Sequence, residues 1–363
     1  MKRSPLFSLL IISAIFIIQL PTLYGQKIAE PFEFQFAGKT LRGLIEKPQD
    51  QPSSAVVVLV PGSGRTNFVE GRWFSSVRDQ LVSFGLTVVF WDKMGCGQSD
   101  GEFNILQPVQ NSAKEALAGI QAIKDQQIPG SEKIGCWGVS RAGWIVPLIN
   151  EQQPLDFWIS VSGTDDKENY GYLLKSNLLI AGKSEREAEY LFQAWMNAHR
   201  VQCTGGSYEE ALRAAQPLME DSLSRELFGY SSEAEITEAA KKAYAKETAD
   251  YTRYGYFDQV SRLWVNIKEF DQTLLKVSCP VLALFGANDS QVDWRKTKRL
   301  YESTIGENPA TSLTTKVFEQ CNHNLQKCIS CAWGEDLSVL GWQACGGYYE
   351  TMETWLRKQG IIN

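Results

Sequence analysis

Ser140, Asp289 and His323 are the residues of this 363-residue chain whose types and order can do chemistry together. A serine hydroxyl is a poor nucleophile at neutral pH until a neighbouring base takes its proton. A carboxylate must then hold that base in the right tautomer and stabilise the imidazolium it becomes. Only two imidazoles are on offer, His199 and His323. His199 follows Trp195 by one helical turn on an apolar face, the place of a packed or rim histidine. His323 lies in Glu319-Gln320-Cys321-Asn322-His323-Asn324, a loop just past a strand-like run, where an imidazole can reach the edge of a sheet. Asp289 closes Leu284-Phe285-Gly286-Ala287-Asn288-Asp289, directly after an apolar run, and gives the chain order Ser, Asp, His. Its nearest rival, Asp293, falls where the next helix should start and reads as a cap.

Ser140 sits in Gly135-Cys136-Trp137-Gly138-Val139-Ser140-Arg141-Ala142-Gly143-Trp144, where a short apolar run stops and a helix-forming run begins. A tight strand-to-helix turn lifts the hydroxyl clear of the backbone but demands small neighbours two residues away on either side. Gly138 and Ala142 meet that demand, as the G-x-S-x-G elbow with alanine in the last place. Taken alone, the pattern is common as an ordinary glycine-rich turn. Its placement between strand and helix, with an acid and a base further on, sets it apart. The charge that develops on a substrate oxygen needs donors as well. The expected ones are the N–H of Arg141 and one from Val60-Pro61-Gly62-Ser63-Gly64-Arg65, Ser63 ahead of Gly64. That loop lacks the Gly-Lys-Ser/Thr of a phosphate loop, and Gly95-Cys96-Gly97 is followed by Asp100 where a dinucleotide fingerprint needs glycine. No cofactor or metal is expected.

These side chains can meet only if the surrounding elements bring them to one edge. Phe32 to Phe36 and Lys39 to Ile45 alternate like a hairpin. Ala55 to Val60 is continuously apolar, as a parallel strand covered on both faces must be. A helix from about Phe68 to Phe84, a strand Leu86–Trp91, a helix from about Val109 to Asp125, the strand before Ser140, a helix after it and a strand Phe157–Val161 continue an alternating pattern. It predicts a parallel, doubly wound sheet. From about 165 to 270 the chain reads as helices only. Capping-box spacing starts at Ser184, and a charged helix with a Glu238/Lys242 pair runs from Ser232 to Tyr251. The pattern resumes with a strand at Pro280–Phe285, a helix at Trp294–Ser303, a strand at Thr314–Phe318 and a helix at Tyr348–Lys358. The expected organisation is a leader over 1–25, a first core segment over 26–164, a helical lid over 165–270 and a second core segment over 271–363.

Composition narrows the function. A net charge of −6 leaves no basic excess for nucleic acid. Most of that deficit falls within 165–270, and reads as a solvated face. Met1-Lys2-Arg3 followed by an apolar run and Pro21 resembles a secretory leader, with cleavage near Gly25-Gln26 and export as the consequence. An uncleaved N-terminal anchor is the alternative. Export permits disulfides, and one or two bridges are expected among Cys321, Cys328, Cys331 and Cys345, with a four-thiolate zinc site as the alternative. Cys136 and Cys279 read as buried thiols.

With Val-Pro-Gly-Ser-Gly at 60–64, Trp-Asp-Lys-Met-Gly-Cys-Gly-Gln-Ser at 91–99, Gly-Val-Ser-Arg-Ala-Gly at 138–143, Gly-Ala-Asn-Asp at 286–289 and Asn-His-Asn at 322–324, the chain resembles the α/β-hydrolase superfamily. It is most similar there to secreted or membrane-associated bacterial esterases and prolyl-oligopeptidase-like acyl hydrolases. The second motif resembles D-x-R-G-x-G-x-S with Met94 in place of arginine. The resemblance implies a wall-forming rather than catalytic role for it, and implies a substrate-selecting lid between the sixth and seventh strands. The expected activity is hydrolysis of carboxylic esters or related acyl bonds through an acyl-enzyme on Ser140, with Asp289 and His323 completing the triad. Alternatives are a peptidase or amidase, an acyltransferase, or a non-catalytic binding protein of the same fold. The expected partner is a small acyl ester or short peptide.

Overall fold

Alternately exposed and buried residues make Lys27–Phe36 (β1) and Lys39–Pro48 (β2) an antiparallel hairpin. The computed structural model describes residues 27–229 and 236–363. The expected leader therefore lies outside the described residues, as do the first residues of the charged helix expected from Ser232. Next come Val56–Val60 (β3), Ser75–Ser83 (α1), Thr87–Trp91 (β4), Val109–Asp125 (α2), Ile134–Val139 (β5), Ala142–Gln152 (α3) and Phe157–Val161 (β6). A helical stretch follows: Tyr170–Ile180 (α4), Glu185–Cys203 (α5), Tyr208–Glu220 (α6), Ser222–Phe228 (α7) and Glu238–Thr252 (α8). The chain then forms Tyr256–Asp258 (β7), Leu263–Val265 (β8), Phe270–Leu275 (α9), Val281–Gly286 (β9), Trp294–Ser303 (α10), Leu313–Phe318 (β10) and Tyr348–Lys358 (α11).

Eight strands form one sheet in the order β1-β2-β4-β3-β5-β6-β9-β10. All neighbours from β4 through β10 pair in parallel, and the β1–β2 hairpin joins antiparallel to β4. Every residue of β3 is buried, as its unbroken apolar run requires. Val56, Val58 and Val60 point to a layer with α2 and α3, whereas Val57 and Leu59 point to a layer with α1 and α11. Each such side chain contributes about 1.5–3 kcal/mol by leaving water. The result is the mostly parallel, doubly wound sheet expected from the alternation. All six parallel strands therefore end at the same edge.

Between β6 and β9 the helices build a separate apolar cluster around Leu174, Leu178, Leu191, Trp195 and Leu218. The capping box at Ser184 is present, since its hydroxyl accepts from the Glu187 N–H. The expectation of helices only needs correcting, because β7 and β8 form a short hairpin. Three-residue strands are too short to show alternation. Asp258 organises the turn, accepting from the Val260 and Ser261 N–H groups. Glu238 pairs with Lys241 rather than the expected Lys242, and Lys241 also reaches Glu209 on α6. The first crossover helix begins at Ser75, not near Phe68, because Arg72 and Phe74 hold left-handed backbone angles that stop a helix.

Candidate active site

Ser140 directly follows β5 with a φ of 57°, a left-handed conformation that is strained for any residue with a Cβ. Its N–H donates to the Val161 carbonyl (2.9 Å), and its carbonyl accepts from Gly143 (2.8 Å) at the start of α3. A Cβ placed on Gly138 would stand 2.8 Å from the Ala142 Cβ, so the demand for small residues around the elbow is physical. At Gly143 a Cβ would lie 2.6 Å from the Thr164 nitrogen, which also fixes glycine there.

Backbone bonds carry the elbow across the sheet edge. Ser162, just past β6, donates to Leu284 of β9 (2.8 Å), and Ala287, just past β9, donates to Phe318 of β10 (2.9 Å). The segments after β5, β6, β9 and β10 are thereby stitched side by side, and neighbouring strands stand about 4.8 Å apart. Asp289 and His323 lie in the last two of these segments. His323 Nδ1 is 2.8 Å from Asp289 Oδ2, and both residues are only 4% exposed. The other carboxylate oxygen, Oδ1, accepts from the Gln291 (2.8 Å) and Val292 (3.0 Å) N–H groups. Gly286 lets the two loops approach, since a Cβ there would meet the Asn322 carbonyl oxygen at 2.3 Å. Asp293 precedes α10, as expected, but its side chain makes no capping bond and faces Lys296 instead.

The loop that holds His323 is fastened twice more. Cys321 is bridged to Cys345, and Cys328 to Cys331. The four C-terminal sulfurs thus form two disulfides rather than a zinc site. Ser290 donates to the Cys331 carbonyl (2.7 Å), which ties the second bridge to the residue after Asp289. Cys136 and Cys279 are buried free thiols, as expected, and burial pushes the Cys279 thiol up to about 12. His199 is packed inside the helical stretch, stacked on Trp195 with ring centroids 4.6 Å apart and 3.5 Å from the Cys203 sulfur. Burial lowers its pKa to about 4.

Ser63 and Gly64 lie in the loop after β3. A Cβ on Gly62 would sit 3.1 Å from the Ser140 Cβ and 3.7 Å from its Oγ, so this loop packs directly on the serine. Among the described residues, neither the Ser63 nor the Arg141 N–H has a hydrogen-bond partner. The Arg141 guanidinium turns away from the elbow, donating to the Ser112 hydroxyl and the Gln107 carbonyl. Asp92 and Ser99 of the second motif are structural. Asp92 Oδ1 accepts from Phe68 N–H (2.6 Å), and Ser99 donates to the Asp92 carbonyl (2.6 Å).

Two clefts flank Arg141, and neither is lined by Ser140, Asp289 or His323. One runs past Ser63, Gly64, Lys93, Phe103 and Glu115. The other opens between the core and the helical stretch, past Trp144, Glu168, Tyr170, Tyr254 and Trp264. Two residues here escape a reading of the sequence. Lys93 donates to the Gly62 and Gly64 carbonyls, and its position right after an apolar strand was the available signal. Glu168 is 3% exposed, and its Oε1 has no hydrogen-bond partner. Burial pushes its carboxyl up to about 8. It lay hidden in an acidic run that composition assigns to solvent.

A family model described as X-Pro dipeptidyl-peptidase (S15 family) matches residues 38–324. Among solved structures, the fold is similar to an esterase of Pyrococcus furiosus, Pf2001, at 13% identity and a TM-score of 0.52, covering 91% of this chain and 90% of that one. It is similar to the proline iminopeptidase of Mycobacterium smegmatis at 14% identity and a TM-score of 0.51, covering 92% and 99%. It is also similar to Est1E of Butyrivibrio proteoclasticus, a structure with ferulic acid bound, at 15% identity and a TM-score of 0.50, covering 90% and 98%. At these identities the likeness is one of fold. No curated protein sequence matches the chain.

Proposed function

The chain belongs to the X-Pro dipeptidyl-peptidase (S15) family and is a serine hydrolase, and on that premise we propose that it cleaves acyl bonds of small substrates through an acyl-enzyme on Ser140. The observation that carries this reading is the buried His323–Asp289 pair, set on the sheet edge where the strained elbow presents Ser140. His323 takes the hydroxyl proton as the oxygen attacks the substrate carbonyl. Asp289, held by two backbone N–H groups, fixes Nδ1–H and leaves Nε2 as the base. The N–H groups of Arg141 and Ser63 receive the negative oxygen. His323 then protonates the leaving group and activates water to release the acid.

Carboxylic esters are the primary substrate class. Glu168 favours a second reading, in which the acyl part carries an ammonium group, as in an aminoacyl amide or short peptide. Glu168 lines an aromatic cleft beside Arg141, where a bound ammonium would draw its buried carboxyl into the charged form and also meet ring faces. Residues 165–270 serve as the lid that selects the substrate. The two disulfides fit an exported enzyme whose leader is residues 1–25, and no helix among the described residues is long and apolar enough to cross a membrane. A panel of p-nitrophenyl esters of rising chain length, assayed beside aminoacyl p-nitroanilides, tests the substrate class. Faster turnover of short esters supports the primary reading. Turnover confined to aminoacyl amides replaces it with the second, and turnover of neither overturns both.

A further inference from the structure

Lys93 lies one residue past the buried Asp92, at the end of β4, and its side chain turns inward rather than to solvent. Its ammonium donates to the Gly62 carbonyl at 2.5 Å and the Gly64 carbonyl at 2.8 Å. Its own N–H donates to the Thr66 hydroxyl at 2.9 Å, so one residue holds the loop after β3 at three points. A trans peptide places its N–H opposite its C=O. Drawing the Gly62 carbonyl towards Lys93 therefore turns the Ser63 N–H to the other side of the loop. The Gly62 backbone meanwhile packs on Ser140, at the distances given above.

We infer that Lys93 is a positioning residue that sets the oxyanion loop, aiming the Ser63 N–H by gripping the carbonyls on either side of it. This rests on the reading of Ser140 as the nucleophile. Lys93 touches neither substrate nor reacting atoms, and acts through the loop. Charge-assisted bonds hold a carbonyl more firmly than neutral ones, so the grip depends on protonation. The groups facing the ammonium are Arg141 from the elbow, Glu115 from α2 and Cys96 from its own loop. Burial, aided by the Arg141 charge and opposed by Glu115 and Cys96, lowers its pKa to about 7. The neutral amine keeps two N–H groups but loses the charge.

The test is the kcat–pH profile of wild type, Lys93→Met and Lys93→Arg on a p-nitrophenyl ester, with each enzyme's active fraction counted by fluorophosphonate titration. Losing one oxyanion donor costs about 10²–10³ in kcat. Lys93→Met should therefore fall by about that factor with KM changed less than about threefold. Wild type should lose several-fold in kcat as pH rises through about 7. Lys93→Arg, which keeps its charge, should recover much of the activity without that alkaline fall. Should Lys93→Met not fold, the arginine variant alone decides: an unchanged alkaline limb overturns the inference, and its loss supports it. A folded Lys93→Met with near-wild-type kcat also overturns it. Failure of wild type to react with the fluorophosphonate at Ser140 is a different result, and sinks the reading of the nucleophile instead.

Discussion

Asp289 holds His323 with one carboxylate oxygen, 2.8 Å from Nδ1, and the backbone of Gln291 and Val292 with the other. The acid is thus fixed before the imidazole arrives, and can set only one tautomer. Asp289→Asn keeps the shape and loses the charge. We expect a fall in kcat of about 10⁴-fold with little change in melting temperature, measured on a short ester. A fall below about tenfold means that another acid supports His323.

Gly286 allows that pairing, because any Cβ there meets the Asn322 and Cys321 carbonyl oxygens at 2.3 and 2.5 Å. Backbone cannot yield as a flexible side chain can. Gly286→Ala should lower stability by about 1–3 kcal/mol and depress kcat beyond what lost folding explains. Urea unfolding combined with titrated active sites separates the two effects.

The Cys321–Cys345 bridge closes a 24-residue separation around His323. Paired Cys321→Ser and Cys345→Ser changes should lower stability by about 2–4 kcal/mol. They should also reduce kcat more than KM, since the base rather than the substrate cleft is loosened. An unchanged kcat would make the bridge a purely global clamp.

Glu168 carries a pH signature. Its folded pKa of about 8 lies above the ordinary value of 4.5, so the folded protein holds a proton there that the unfolded chain releases. That stability is complete below about 4.5 and is lost as pH rises through about 8. Asp165, raised by burial to about 6, acts in the same direction over a lower range. Glu168→Gln should flatten the fall in melting temperature between pH 5 and pH 8. It should also lower kcat/KM for aminoacyl amides about ten- to a hundredfold more than for neutral esters. Equal losses on both substrate types contradict an ammonium subsite.

Much of the scaffold was legible because its signals are local. The apolar run at Val56–Val60 specified a strand buried on both faces, and the bounds of α2, α10 and α11 follow their apolar periodicity closely. The pairing of Asp289 with His323 was legible for a different reason: each follows a strand, and parallel strands end at one edge. What stayed hidden depends on tertiary contacts. The place of Lys93 just after an apolar strand marks the residue, but only the folded loop shows its ammonium turned inward to two carbonyls. Glu168 sits among Asp165, Asp166 and Lys167, where charge alone suggests solvent, yet the fold buries it. The β7–β8 hairpin is held by Asp258 and its turn, and is too short for any periodicity.

The account stands or falls on the Ser140 hydroxyl. Treating the folded enzyme with a fluorophosphonate and mapping the adduct by peptide mass spectrometry tests it directly. The account requires one adduct per chain, on Ser140, with ester hydrolysis lost in step. It also requires no adduct on Ser140→Ala and a strongly slowed reaction in His323→Ala. Full hydrolytic activity in folded Ser140→Ala, or an adduct on a different residue, would contradict it.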